Sequence, residues 1–568
     1  MFSKKISEVK NPIIYIFLAM ITSSVCYGLN SDFKELAFLI ASFFFISVLY
    51  YCGINFTGAV TIFFVIELVL NIIYYDIPKE IDGILRISKV TQYSITASYN
   101  GKNVLVQYEG DNNFENGERY RIKGCVVRDQ DRSKGVAGTI KVDKVEVLEG
   151  DFITKIQRIR KKIYGLLKEN LGARKAGLIS SIAFGYSDYL DKEDKEDMKK
   201  FGVIHSISVS GLHVVIVYVF IKKILGSKLG IIGTLVYVVF TGCPYSSIRA
   251  FIMLTSIEMG KILKRNNNSL SALSLSGIIL LINKPYCIFE ISFDLSYLAT
   301  LGILLYNKKL NYYLYKIPDK IRESLSITLC AQVFTLPYII YTFRDFSLNF
   351  ILGNIVLVPF VNIIVITGNL LPLVCIFPKV FDFISYIDLK ILKIFDYSID
   401  KLDNFTLPCL YGNEYIVSFY LFTIISFYFF IKGHKKFIYL PAIYIFIIMI
   451  QIYSPFFKIQ YYNEGAIALS YRGERVLISN KSEIDMERLA KVAMADTVYR
   501  NKNLIEVNNI CKIKSKGQDY ILYTCGGKYL LKMTWSKKYD KEYDIISFKD
   551  GAVKSIFIID GKIISGYV

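Results

Sequence analysis

The sequence predicts a polytopic α-helical membrane protein with an extracytoplasmic OB-like β-barrel domain near the N-terminus and a small β-rich C-terminal domain. Three observations carry that prediction. The 568 residues are 53% hydrophobic with a mean hydropathy of +0.39, and many apolar runs approach the twenty or so residues that cross a bilayer. Loops rich in Lys and Arg separate these runs, as cytoplasmic loops do. Over Gly83–Leu148 and Gln460–Val568 the pattern changes to short alternating runs of β-branched residues, the signature of strands.

The basic loops account for much of the net charge of +19, and attraction to a polyanion is the functional reading beside it. The ten cysteines show no CxxC spacing and several lie in apolar runs, so neither a disulfide framework nor a zinc knuckle is expected. The first apolar run has no small-residue cleavage site and reads as a retained anchor.

Residues 1–77 read as three membrane spans, Pro12–Leu29, Leu36–Tyr51 and Ala59–Tyr75. Lys4, Lys5 and Lys10 place the N-terminus in the cytoplasm, so the chain emerges outside at Pro78. Residues 78–150 then carry five strand-like runs, at 84–87, 94–97, 104–108, 120–127 and 139–142, broken at Asn100-Gly101, Gly110-Asp111 and Asn116-Gly117. An OB-type barrel has this size, and such barrels often bind single-stranded nucleic acid. Acids nearly balance bases here, so a purely structural barrel stands beside the binding one. Residues 151–175 read as a basic amphipathic helix. Ile153, Ile156, Ile159, Ile163, Leu166, Leu167 and Leu171 recur at helical spacing, while Lys155, Arg158, Arg160, Lys161, Lys162 and Lys168 take the other faces. Such a helix lies in the membrane interface, and its charges suit a phosphate backbone as well.

Residues 176–454 form the membrane core. After a charged linker, Asp188–Lys200, a span starting at Phe201 ends inside at Lys222, Lys223 and Lys228; Leu229–Phe240 returns outward. The Gly242–Pro244 turn sends Ser246–Gly260 back in, which puts His205 and Arg249 in the outer half. Further runs follow at Ser269–Ile282, Phe293–Tyr306, Leu325–Tyr341, Leu348–Ile366, Gly368–Phe377, Tyr415–Ile431 and Phe437–Tyr453. Residues 455–568 read as a β-rich tail with a hairpin signal at Asp560-Gly561.

Polar groups inside apolar runs are costly and usually face a protein interior or a water-filled path. On one continuous helix Ser206, Ser210 and His213 share a face, and Gly211 lets a neighbour approach or breaks the helix. That stripe reads either as the lining of a hydrated path or as glue between helices. Ser210 and His213 also allow a nucleophilic reading, which lacks an evident third group and oxyanion donors. His205 and His213 have no Asp, Glu or Cys nearby to complete a metal site. Arg249 reads as a snorkelling residue or as a cation facing a path for phosphates, with Asp294 the natural group to neutralise it. Gln332, Asn354, Asn362 and Asn369 are further polar positions in apolar runs.

Four ordered runs resemble the core of ComEC-type competence proteins. They are His205-Ser-Ile-Ser-Val-Ser-Gly-Leu-His-Val214, Gly242-Cys-Pro-Tyr-Ser-Ser-Ile-Arg-Ala250, Phe293-Asp-Leu-Ser-Tyr-Leu-Ala-Thr-Leu-Gly302 and Ala331-Gln-Val-Phe-Thr-Leu-Pro337, followed by Asn354 and Pro359. The resemblance spans roughly Ala176–Ile450. It implies an inner-membrane channel for single-stranded DNA during natural transformation, with His205, Ser206, Ser210, Gly211, His213, Arg249, Asp294, Gln332 and Asn354 as candidates for the path. Asp294 departs from the family, in which glutamine is common. Many members end in a metallo-β-lactamase-like domain; its opening resembles Tyr461–Ala468 here, but no histidine follows His434 and the tail is short. The expectation is therefore a reduced tail that binds no metal, a chain that is not a nuclease, and no cofactor. There is no GxxxxGK[ST] phosphate loop. The resemblance implies as partners single-stranded DNA, the lipid bilayer, a cytosolic ATP-dependent translocase, an extracellular DNA receptor and a separate nuclease, and it leaves room for a homo-oligomer. Two other functions stay open from the residues: a transporter of a smaller anion, and a membrane-embedded serine hydrolase.

Overall fold

The computed structural model describes residues 9–30, 33–91, 94–108, 114–127, 129–264, 268–482, 484–507, 511–533, 543–548, 553–559 and 562–566. The Gly110-Asp111 and Asp560-Gly561 turns lie outside the described residues. The chain divides into two compact units, one of Met1–Thr335 with Ser347–Leu407 and one of Leu336–Phe346 with Pro408–Val568.

In the first unit α1 (Pro12–Leu29), α2 (Lys34–Cys52) and α3 (Ile54–Tyr75) are each long and apolar enough to cross a membrane. Polar groups that such helices bury must find partners in protein. Ser24 Oγ donates to Glu67 Oε1 at 2.7 Å, and Asn71 Nδ2 donates to Ser24 Oγ at 3.1 Å and to Glu67 Oε1 at 3.3 Å. All three side chains are fully buried between intact helices α1 and α3.

The predicted barrel follows. β1 (Glu80–Val90), β2 (Ile95–Tyr99), β3 (Lys102–Gln107), β4 (Arg119–Val127) and β5 (Val136–Val147) close in the order β1-β2-β3-β5-β4, with β3 and β5 parallel. Alternation turns Leu85, Ile87, Ala97, Val104, Ile122 and Ile140 inward. Asn100 and Gly101 both have positive φ, as the tight turn between β2 and β3 requires.

Helix α4 (Phe152–Leu171) is joined to the barrel at its first turn. Asp151 caps it by accepting from Thr154 N–H at 3.1 Å, and the same carboxylate pairs with Arg86 and lies 3.8 Å from Arg119. The hydrogen bond from Arg86 holds the Asp151 carboxyl down at about 2. The face α4 buries differs from the predicted stripe. Ile163 and Leu167 are buried, but Ile153 and Ile159 are exposed, and Arg160 turns inward to donate to the Phe240 carbonyl. Arg158 and Lys161 pair with Glu118 and Glu115 of the barrel at 3.0 and 3.2 Å, which leaves Lys155, Lys162 and Lys168 among the exposed bases.

Helix α5 (Ala173–Phe184) is almost wholly buried and carries Ile179, Ile182 and Phe184 into the largest apolar core. The expected charged linker is in part a helix, α6 (Lys192–Lys200), capped by Asp191. Then come α7 (Gly211–Phe240), α8 (Tyr245–Ile262), α9 (Ser269–Asn283), α10 (Ile291–Tyr313), α11 (Asp319–Phe343), α12 (Phe350–Val356), α13 (Val358–Val374) and α14 (Pro378–Asp403). Gly226 (φ 82°, ψ 173°) breaks α7 into two arms, each of about 15 residues or about 22 Å at the helical rise. Gly230 lies against Tyr218 and Lys222, so the arms fold back on each other as the Lys222–Lys228 reversal predicts. Neither arm alone reaches the ~30 Å of a bilayer core. The expected division between Leu348–Ile366 and Gly368–Phe377 is corrected: the 48° bend falls between α12 and α13, and Gly368 sits inside α13 against Ala183. Helix α14, amphipathic and charged, has no counterpart among the predicted elements.

The second unit contains β6 (Asp345–Phe346) paired with β7 (Leu410–Tyr411), then α15 (Glu414–Ile431) and α16 (Leu440–Ile452). A β-rich tail follows, as predicted. β8 (Phe457–Tyr462), β9 (Ala466–Tyr471), β10 (Glu474–Ser479), β11 (Thr497–Arg500), β17 (Ser555–Ile559) and β18 (Lys562–Gly566) form a sheet ordered β11-β10-β9-β8-β17-β18. β12 (Leu504–Val507), β13 (Cys511–Lys516), β14 (Asp519–Thr524), β15 (Gly527–Lys532) and β16 (Asp544–Ser547) form a second. Ile459, Leu469 and Ile478 of one sheet share a core with Ile513, Leu522 and Leu531 of the other. Helix α17 (Met486–Ala493) covers Ala466, Ala468 and Leu477.

Candidate functional site

The first unit concentrates its irregular backbone around Phe201–Ser210. Gly202 has φ 64°, and a Cβ there would stand 2.5 Å from Phe350 Cβ. A Cβ on Gly353 would stand 2.2 Å from the Phe201 carbonyl oxygen. Two glycines thus let the chain press against α12 at backbone distance, and no larger residue fits either place. The chain makes a 3-10 turn at Ile204–Ser206, turns again at Ile207, bends at Ser208 and is extended at Ser210, so the helix begins only at Gly211. This corrects the shared face of Ser206, Ser210 and His213: the three lie on a turn, a cap and a first helical turn. It also removes the continuous span from Phe201.

Neighbouring side chains satisfy the backbone that this break frees. Ser246 and Ser247 of α8 donate to the Val209 carbonyl at 2.6 and 3.3 Å. His213 Nδ1 accepts the Ser210 N–H at 3.3 Å, holding the start of α7 as the reaching-back residue of a capping box does. Gly211 packs on α8, and its Cβ would lie 2.8 Å from Arg249 Nη2 and 3.2 Å from Ala250 Cβ.

Arg249 is 9% exposed, which corrects the snorkelling reading. Its Nη1 donates to the Ser296 carbonyl on α10, and its guanidinium lies 6.0 Å from the centre of the Tyr297 ring. Tyr297 is fixed in turn by Ser276 at 2.8 Å and by stacking on Phe293 at 4.2 Å. Arg249 Nε has no hydrogen-bond partner among the described residues. His205 keeps exposed surface. Its Nδ1 is 3.1 Å from the Gly202 carbonyl. Ser206 and His213 are buried beside it.

The structure therefore gathers His205, Ser206, Ser210, Gly211, His213 and Arg249 at one place. Asn354 follows Gly353 in α12 and is half-buried, and Asp294 is half-buried two residues before Ser296 in α10. Gln332 sits on α11, where it accepts from Thr335 Oγ1 at 3.2 Å. Asn369 donates to the Ala183 carbonyl at 3.1 Å. Of the basic helix, Arg160 joins the core rather than an open face, stacking over Phe240 where the second arm of α7 ends. Sequence reasoning missed Gly353, for which the signal was a glycine beside Asn354 in an apolar run; it marked Ser246 and Ser247 as polar positions past Pro244 but not their bonds to Val209.

Two helix starts, those of α7 and α8, meet at Val209. Each carries roughly half a positive charge. Arg249 adds a full one, and no acidic residue occurs between Phe201 and Ser256. Helix N-termini and a fixed cation at an unwound segment suit an anion moving among helices.

These features define a polytopic membrane protein whose core is built of broken helices around a positively charged segment. Residues 182–450 match the family described as Competence protein. The chain resembles ComE operon protein 3 of Bacillus subtilis, 29% identical over 227 residues that cover 38% of this chain and 29% of the relative. It also resembles Recombination protein 2 of Haemophilus influenzae, 24% identical over 255 residues, or 41% and 31% of the two chains. An uncharacterized protein of Aquifex aeolicus is 32% identical over 184 residues, 30% and 44% of the two. Over the matched segment the chain resembles the ComEC-type competence proteins. It spans less than half the length of each of these relatives. No solved structure matches it.

Proposed function

We propose that this chain is a membrane channel that takes up single-stranded DNA into the cytoplasm during natural transformation. The observation that carries the reading is the meeting of two helix N-termini and Arg249 at an unwound segment inside the competence-matched core. Phosphates passing His205 would meet the positive ends of α7 and α8, and Arg249, held on Ser296, would set the field from behind without releasing into the path. The N-terminus is then cytoplasmic, and the barrel and tail are extracytoplasmic. The barrel and the exposed Lys155, Lys162 and Lys168 of α4 would receive the strand. A cytosolic ATP-dependent translocase would pull it, and a DNA receptor and a separate nuclease would supply it. The tail would act without metal, as a reduced form of the metallo-β-lactamase-like domain. The hydrolase reading is weaker, since His213 Nδ1 faces the Ser210 N–H rather than its hydroxyl.

The test is entry of labelled DNA into cells carrying the intact chain, no copy, or His205→Ala, at matched membrane levels. Entry only with the intact chain, and impaired with His205→Ala, supports the channel. Equal entry in all three cells refutes it and turns attention to a smaller anion.

A further inference from the structure

Lys458, Ser470 and Arg475 occupy one row across three neighbouring strands of the second unit. Lys458 on β8 pairs with Ser470 on β9, which pairs with Arg475 on β10. Phe557 of β17 continues the row beyond Lys458. Directly opposed residues share a face of the sheet, so the two cations flank Ser470 with backbones about 10 Å apart. Against this face lies a small notch, bounded by Tyr415 where α15 begins, Gln451 where α16 ends, and Gln460 two residues along β8.

The charges around the notch do not balance. Arg475 is 8% exposed; its Nη1 donates to the Ala493 carbonyl at 3.1 Å, but its Nε has no hydrogen-bond partner among the described residues. Glu414 is the carboxylate that acts on Lys458, and Arg344 already engages it at 2.5 Å. Burial holds the Lys458 ammonium below its usual pKa; Glu414 opposes this in part, and the charge of Arg475 adds to it. Aromatic rings steady both cations, with Tyr415 5.7 Å from the Arg475 guanidinium and Phe557 5.6 Å from the Lys458 ammonium. Two half-desolvated cations kept apart over a hydroxyl are an arrangement that a multiply oxygenated anion stabilises.

We infer that this notch binds a phosphate-type oxyanion between Lys458 and Arg475, with Ser470 and Gln460 supplying hydrogen bonds. A planar carboxylate has two oxygens on one side, whereas a tetrahedral phosphate offers oxygens to both cations and to the hydroxyl between them. The notch adjoins the apolar ends of α15 and α16, where a lipid headgroup phosphate is one source; inorganic phosphate from solution is the other. The inference does not rest on the DNA-uptake reading.

The experiment uses the full chain in maltoside micelles, which hold no phosphate, and follows hydrogen exchange of the β8, β9 and β10 amides. One arm adds inorganic phosphate against sodium chloride of equal ionic strength; the other dopes the micelles with phosphatidylglycerol. Slowed exchange in both arms supports a general oxyanion site, in the lipid arm alone a headgroup site, and in the phosphate arm alone a solute site. Lys458→Gln is expected to weaken the response about tenfold, the loss of one charge-assisted hydrogen bond. Ser470→Glu places a carboxylate in the row, so it should slow exchange without any additive and abolish the response. The inference is overturned if neither addition changes exchange, or if Lys458→Gln responds as the intact chain does.

Discussion

Two regions of the first unit bury polar side chains among apolar helices, and they use them differently. In the pair α1 and α3, Ser24, Glu67 and Asn71 bond one another while both helices stay intact. Around Val209, Ser246, Ser247, His213 and Arg249 bond main-chain groups instead, at Val209, Ser210 and Ser296. The first cluster ties two helices together. The second holds open a break in the backbone, and non-helical backbone within a membrane core is tolerated where protein or a water-filled cavity satisfies it. What separates the two clusters is the backbone they serve: intact helices in the first, and a chain that leaves the helix between Phe201 and Ser210 in the second.

The sharpest way to break this distinction is to crowd the break. Gly353→Val puts side-chain atoms into the Phe201 carbonyl, and we expect a loss of about 3 kcal/mol in unfolding stability in detergent, at the upper end for overpacking. Arg249→Met should cost about 2 kcal/mol, because the Ser296 carbonyl loses a charged donor in a buried place. Glu67→Gln keeps the shape and an acceptor for Ser24, so its cost should stay within about 1 kcal/mol. If Glu67→Gln proved as damaging as Arg249→Met, the two clusters would not differ in kind.

The smallest effect is a pH dependence at the joint between barrel and α4. Asp151 has a folded pKa of about 2, held below its ordinary value by Arg86. Its contribution is complete above about pH 4 and is lost as the pH falls through 2. Protection of the first turn of α4 against hydrogen exchange should fall over that window in the intact chain and show no such step in Asp151→Asn.

Much of this architecture is legible in the residues. The barrel announces itself because β-branched runs alternate and Asn100-Gly101 supplies the positive φ of a tight hairpin. The six candidate spans are legible because their apolar runs are long. The unwound segment was hidden, since the spacing of Ser206, Ser210 and His213 also fits one helix face, and nothing local shows that Gly202 and Gly353 press two backbones together. Helix α14 escaped notice because Lys379, Asp382, Lys390, Lys393 and Asp396 interrupt its apolar positions every turn. Arg160 counted as one more base on an open face; its burial depends on where the second arm of α7 ends, which is a long-range fact.

The central claim is that the unwound segment borders the path of the strand. It is tested most directly by replacing the native cysteines and placing single ones at His205 and at Val236, which is exposed on the second arm of α7. A membrane-impermeant thiol reagent is then applied with and without DNA held in transit. The account predicts that His205→Cys is labelled, that DNA protects it, and that Val236→Cys is untouched in either condition. A His205→Cys that is labelled equally with and without DNA, or not at all, would contradict it.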